Sequence, residues 1–266
     1  MFEGDSRLEL VVKYMKAHWP SRVKDEWQVS LTEYPVILAR VLEDFTDGKT
    51  VSRELVRIAG VSGSGKTTQL LPAVENYFRL KDLRPILVAA RLFVEYHPHY
   101  QEIKEFYGEE NLRKMTDEFS TIMMFLCLNE LIKAGYDIIL DVTLLDPEVE
   151  KILVGMLSAG GYDARILLIA VSPEVTEKHL SGRAWRHSKE TETEFIRATA
   201  MALEFYASEC PEMNIIIWNA YERLPVYDGP VASAVEVFDK YSAITDIPAH
   251  DEDELRQAKI DYLSKK

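Results

Sequence analysis

The stretch from Leu55 to Leu71 constrains this chain more than any other. Leu55-Val56-Arg57-Ile58-Ala59 is a short, mainly apolar run of strand character. Gly60-Val61-Ser62-Gly63-Ser64-Gly65-Lys66-Thr67 follows it and fits G-x-x-x-x-G-K-[ST]. Thr68-Gln69-Leu70-Leu71 then continues in helix-compatible residues. Strand, glycine-rich turn and helix, in that order, is the context a phosphate-binding loop requires. Gly60, Gly63 and Gly65 open backbone angles that larger residues avoid. The N–H groups across Gly60, Ser62, Gly63, Ser64, Gly65, Lys66, Thr67 and Thr68 then turn inward to cradle polyphosphate oxygens, aided by the positive end of the helix. Lys66 brings a mobile positive charge to the β- and γ-phosphates, and the Thr67 hydroxyl is placed to ligate Mg²⁺. Nucleotide binding is the reading these residues support; turnover is a separate matter.

The rest of the chain alternates between strand and helix patterns. Pro85–Ala90, Asp137–Leu140, Ala164–Val171 and Asn214–Trp218 are continuous apolar runs suited to strands covered on both faces. Between them lie helical patterns: Thr68–Arg79, a long helix opened by Thr116 and closed by Gly135, Pro147–Ala159, and one capped by Ser172 with Pro173 in its first turn. The expected fold is α/β: about five mainly parallel strands flanked by helices, as in phosphate-loop kinases. Residues 1–50 read as a helical N-terminal extension, with Ser30-Leu31-Thr32-Glu33 as a capping box. Residues 51–230 form the nucleotide domain, with a helical lid at about 179–209, and 231–266 a helical tail. The acidic run Asp251–Glu254 in that tail reads as a solvated segment.

The chain has 266 residues and a formal net charge of −13, which disfavours broad nucleic-acid binding. Cys127 and Cys210 are too few and too far apart for a disulfide framework or metal cluster, and they fit a reducing compartment. No signal-peptide pattern and no membrane-length apolar run is present, so the expected location is cytoplasmic and no membrane partner is expected.

In a parallel sheet, ligands bind beyond the carboxyl ends of the strands. Ile138-Ile139-Leu140-Asp141 places a carboxylate at such an end, where it would sit near the Mg²⁺ of a phosphate-loop enzyme. Arg183, Arg186 and Arg197 lie where a phosphate-clamping lid is expected. His97-Pro98-His99-Tyr100 lacks a carboxylate at ligand spacing, so a substrate contact is the better reading than a metal site.

Together these pieces resemble the zeta-toxin family, the phosphate-loop kinases of toxin–antitoxin pairs. The resemblance runs from Val56 to Tyr227. It rests on Gly60–Thr68, on His97-Pro98-His99-Tyr100 followed by Tyr107-Gly108, on Gly135–Thr143, on Arg197-Ala198-Thr199 and on Ile217-Trp218-Asn219. It implies ATP and Mg²⁺ as cofactors and a sugar nucleotide, UDP-N-acetylglucosamine, as acceptor at the sugar 3′-hydroxyl. It implies catalytic roles for Lys66, Asp141, Arg186 and Arg197, and metal ligation by Thr67 and Asp141. Arg91, Glu95, His97, Tyr100, Asp141 and Thr143 fall on the implied substrate side. An antitoxin partner is also implied, unless the N-terminal helices cover the site in cis.

The chain departs from the family at informative places. The family carries its catalytic Asp six residues before the His of the His-Pro segment; here that position is Arg91. A guanidinium cannot accept a proton. The family's substrate Glu corresponds to Asp141, and a family Arg corresponds to Leu145. The first lid arginine is Arg183 or Arg186. Three readings follow: a zeta-toxin-like kinase with Glu95 or Asp141 as base, a kinase for another small hydroxylated substrate, or a nucleotide-binding protein with impaired catalysis.

Overall fold

The computed structural model describes residues 12–13, 15–17, 21–144, 146–180, 189–245 and 250–266. Six strands form one sheet: β1 (Glu54–Ala59), β2 (Ile86–Val88), β3 (Ile138–Asp141), β4 (Asp163–Ala170), β5 (Asn214–Asn219) and β6 (Tyr227–Pro230), in the order β2-β3-β1-β4-β5-β6. The first five are parallel, and β6 runs antiparallel to β5. The sequence pattern missed β6, because Asp228-Gly229-Pro230 carries no strand signal. It is an edge strand, the place where a sheet tolerates proline.

The apolar runs are long because both sheet faces are buried. Along β4, Ile166, Leu168 and Ala170 pack on one face, and Leu167 and Ile169 on the other. Along β5, Ile215 and Ile217 join the first face, and Ile216 and Trp218 the second. This is the period of two that a pleated strand imposes. Helices α1 (Tyr34–Thr46), α2 (Leu71–Leu80), α3 (Tyr100–Tyr107), α4 (Glu109–Met115), α5 (Asp117–Ala134), α6 (Pro147–Gly160), α7 (Pro173–Leu180), α8 (Lys189–Glu209), α9 (Val235–Ser242) and α10 (Glu252–Leu263) complete the described fold. Helix α5 is apolar on nearly every side and is buried accordingly. It ends as expected at Gly135, whose φ of 83° allows its N–H to close back on Leu131 and Ile132.

Helix α1 is part of the main core: Tyr34, Leu38 and Val41 pack with Phe119, Ile122 and Met123 of α5. Three expected caps take other forms. Glu33 accepts hydrogen bonds from the Ser30 N–H at 2.8 Å and hydroxyl at 2.7 Å, but these lie one turn ahead of the helix. Pro35, which has no N–H to satisfy, sets the helix start instead. The Thr116 hydroxyl turns back to the Leu112 carbonyl. The Ser172 hydroxyl is buried without a hydrogen-bond partner. The acidic run at 251–254 is a structured helix start: Asp251 accepts from the N–H groups of Asp253 and Glu254, and the acids face the positive end of α10.

Candidate functional site

The phosphate loop follows β1 and leads into a π-helical turn over Lys66–Leu70 that α2 continues. Two glycines are required by the geometry. A Cβ on Gly60 would come 2.8 Å from Ser64 Oγ and 3.2 Å from the Ile169 carbonyl. Gly65 has φ +100°, in the left-handed region. The Lys66 ammonium donates to the carbonyls of Gly60 (2.6 Å) and Val61 (3.0 Å). Ser64 Oγ is buried and has no hydrogen-bond partner. From outside, His179 of α7 contacts the Gly63 carbonyl through Nδ1 at 3.0 Å and the Tyr221 hydroxyl through Nε2. A glycine cradle, a partly buried ammonium and an orphaned hydroxyl make a donor set that fits a polyphosphate.

The loop forms one wall of a cleft of about 600 Å³. Arg22, Arg91, Arg113, Lys114 and Asp117 line it along with Lys66, Thr67, Asp141 and Thr143. Asp141 ends β3, and its Oδ2 is paired with the Arg91 guanidinium. Arg57, buried in β1, holds the loop after β3: its Nε donates to the Val142 carbonyl at 3.2 Å and its NH2 to the Thr143 carbonyl at 2.5 Å.

The electrostatics of the cleft are unusual. Burial pulls the Lys66 ammonium down to about 8, against the opposing pull of the Asp141 and Glu192 carboxylates. Burial pushes Glu192 up to about 7, with Lys66 opposing. Burial also raises Asp117, opposed by Arg113 and Arg22.

The Zeta toxin family model matches residues 42–229. The chain belongs to the zeta-toxin family. It is 29% identical over 149 residues to Toxin PezT of Streptococcus pneumoniae serotype 4, an alignment spanning 54% of this chain and 56% of that protein. The chain thus matches little more than half the length of that curated relative. Among solved structures, one from the work titled "Molecular and structural characterization of the PezAT chromosomal toxin-antitoxin system of the human pathogen Streptococcus pneumoniae" superposes with a TM-score of 0.68 at 22% identity. It covers 91% of this chain and 100% of that one. The AvrRxo1-ORF1:AvrRxo1-ORF2 structure with sulphate ions gives a TM-score of 0.50 at 12% identity, covering 96% and 84%. Both likenesses bear on the fold alone.

The zeta-toxin assignment sharpens the question of which expected site residues meet at the cleft. Gly60, Ser62, Gly63, Gly65, Lys66, Thr67, Thr68, Arg91, Asp141 and Thr143 line it, and Ser64 lies buried within the loop. Glu95 is exposed and does not line the cleft. His97 is a core histidine: it is buried edge-on to Phe119 at 4.7 Å, and its Nδ1 accepts from the His99 N–H at 3.1 Å. Burial lowers its pKa to about 4. Tyr100 packs with Val23, Ile103 and Leu112, away from the cleft lining. Arg197 is exposed on α8 and is not part of the lining. Arg183, Arg186 and Leu145 lie outside the described residues.

Sequence reasoning overlooked Arg22, Arg113, Lys114, Asp117 and Glu192. A signal for Glu192 was present. Glu192, Phe195, Ile196 and Thr199 recur at helical spacing, which puts Glu192 on the inward stripe of an otherwise polar turn. Arg113 and Lys114 read as ordinary cations in the last turn of α4, where the helix dipole favours them. No helix among the described residues is long and apolar enough to cross a membrane, and no group of three His, Cys, Asp or Glu there is placed to hold a metal ion.

Proposed function

We propose that this zeta-toxin family protein is an ATP-dependent kinase that transfers the γ-phosphate to a hydroxyl of a small anionic acceptor. The acceptor to test first is a sugar nucleotide such as UDP-N-acetylglucosamine. One observation carries the reading. In a chain of net charge −13, a single cleft gathers the phosphate loop and Lys66 together with Arg22, Arg91, Arg113 and Lys114. More cations than one triphosphate needs suit a second phosphorylated molecule in the same cleft, and catalysis of such a transfer is mainly positioning and charge stabilisation.

In this reading Lys66 binds the β- and γ-phosphates. Thr67 and the free oxygen of Asp141 supply hard oxygen donors for Mg²⁺. A lid arginine, Arg183 or Arg186, clamps the transferring group, and Arg91 and Thr143 face the acceptor. The PezAT work concerns a toxin–antitoxin system, and an antitoxin partner is part of the proposal for this chain too. The N-terminal segment is the alternative cover, because Met15 and Arg22 line the cleft. The reading places the protein in the cytoplasm.

The Arg91–Asp141 pair favours a second reading, a nucleotide-binding protein without transfer, since it ties up a carboxylate of the site. The experiment is ADP release with Mg²⁺–ATP and a panel of sugar nucleotides and nucleosides, with phosphorus NMR of the products. A phosphorylated product supports the kinase. ATP binding with no product for any acceptor, and no hydrolysis, supports the second reading.

A further inference from the structure

Glu192 stands apart from every other acid around the cleft. It sits in the first turn of α8, within the expected lid region, and only 2% of its surface is exposed. Neither carboxylate oxygen has a hydrogen-bond partner among the described residues. Glu192 is not itself in the cleft lining, but Thr191 and Phe195 on either side of it are, and the charge that acts on it is the Lys66 ammonium. Burying an unpartnered carboxylate is costly, so proteins rarely keep one without use for it.

The other acids are less suited to taking up a proton. The Asp141 carboxylate is held by Arg91. Burial raises Asp117 as it does Glu192, but two guanidinium groups, Arg113 and Arg22, oppose the rise and favour its charged form. Glu95 is exposed to solvent. Arg91 itself cannot accept a proton.

We propose that Glu192 is the proton acceptor for phosphoryl transfer in this protein, replacing the carboxylate that position 91 lacks. The proposal rests on the kinase reading above. In the step, the acceptor hydroxyl oxygen forms a bond to the γ-phosphorus of the nucleoside triphosphate. The bond from that phosphorus to the β,γ-bridging oxygen breaks, and its electrons leave with the diphosphate. The hydroxyl proton passes to a Glu192 carboxylate oxygen. Lys66, whose charge acts on Glu192, holds the phosphate oxygens. An unpaired carboxylate there is free to receive the proton, and its lack of hydrogen bonds leaves it more basic than a solvated one.

The test uses the full chain with Mg²⁺–ATP and two acceptors, UDP-N-acetylglucosamine and water, reading ADP release. ATP affinity is measured in parallel by calorimetry. Glu192→Gln keeps shape and burial while removing the basic oxygen. It is expected to lower turnover about 100- to 10,000-fold, with ATP bound at least as tightly as by wild type and the KM for the acceptor little changed. Glu192→Asp is expected to recover part of the rate. A purely structural role would not separate kcat from affinity in this way. Wild-type turnover in Glu192→Gln overturns the proposal while the kinase reading stands. So does an Asp117→Asn variant that loses turnover while Glu192→Gln keeps it. Wild type that binds ATP but releases no ADP with water, UDP-N-acetylglucosamine or any acceptor of the sugar-nucleotide and nucleoside panel overturns the kinase reading, and this proposal with it.

Discussion

Arg57 and Glu150 form a two-pronged ion pair in the interior, NH1 to Oε2 at 2.5 Å and NH2 to Oε1 at 2.9 Å, with side chains 2% and 1% exposed. The Tyr206 hydroxyl donates to the same carboxylate at 2.7 Å. The pair thus joins β1, α6 and α8, and the same guanidinium holds the carbonyls of Val142 and Thr143 at the cleft. Removing one member of a buried pair leaves the other charge uncompensated, at a cost of about 3–5 kcal/mol. Arg57→Met and Glu150→Gln are each expected to lose that much in urea denaturation. The double variant is expected to lose less than the sum, because the two residues share one interaction. Additive losses would show that the pair is not coupled.

Lys66→Ala is expected to weaken ATP binding at least tenfold, a change of about 1.4 kcal/mol, without loss of stability. The stability expectation follows from the lowered pKa: the fold already disfavours the charged ammonium. Calorimetry with and without Mg²⁺ reads the first quantity and urea denaturation the second. Undiminished affinity would remove the loop from the nucleotide site.

Arg91→Ala leaves the Asp141 side chain, 3% exposed, without its guanidinium partner. A destabilisation of about 2 kcal/mol is expected, together with at least tenfold weaker binding of UDP-N-acetylglucosamine. Arg91→Lys retains the charge and is expected to fall between the two. Thermal unfolding and acceptor titration check this. Equal acceptor affinity in all three proteins would show that Arg91 serves Asp141 alone.

Two buried groups pull the pH dependence of stability in opposite directions. Glu192 has a folded pKa of about 7 against 4.5 unfolded, so its cost builds as pH rises from 4.5 to 7. His97 has a folded pKa of about 4 against 6.5 unfolded, so its cost builds as pH falls from 6.5 to 4. Each shift corresponds to about 3 kcal/mol. In wild type the two largely cancel between pH 4.5 and 6.5. Glu192→Gln is expected to be more stable than wild type at pH 8 and to show the His97 fall on acidification. His97→Leu is expected to lose stability as pH rises instead. Unfolding curves at pH 4.5, 6 and 8 decide it, and parallel curves for all three proteins would refute the assignment.

Features that depend on neighbours in sequence were legible. The loop from Gly60 to Thr67 carries its own geometry in its glycines, Gly135 announces the end of α5, and the uninterrupted apolar runs of β4 and β5 follow from burial on two faces. Asp141 was placed at its strand end by the same pattern. Features decided by distant partners were not legible. His97 reads like a substrate contact because nothing local reveals that Phe119 closes over it. Edge strand β6 forms because β5 offers it an open edge, not because Asp228-Gly229-Pro230 prefers extension. The cation lining draws Arg22, Arg91 and Arg113 from three separate segments, and only tertiary packing brings them to one cleft.

The strand order has a consequence for how the protein is made. β1 lies in the middle of the sheet, with β3 on one edge and β4 on the other, yet it is synthesised first. Its second edge stays open until Ala170 has left the ribosome, roughly 110 residues after Ala59, which takes about 5–20 s at typical elongation rates. Throughout that interval an apolar strand with unpaired N–H and C=O groups stands exposed, the kind of edge that recruits other chains. Newborn copies are therefore most vulnerable to aggregation while β4 is still being translated, and a pause in that window would lengthen the exposure in direct proportion.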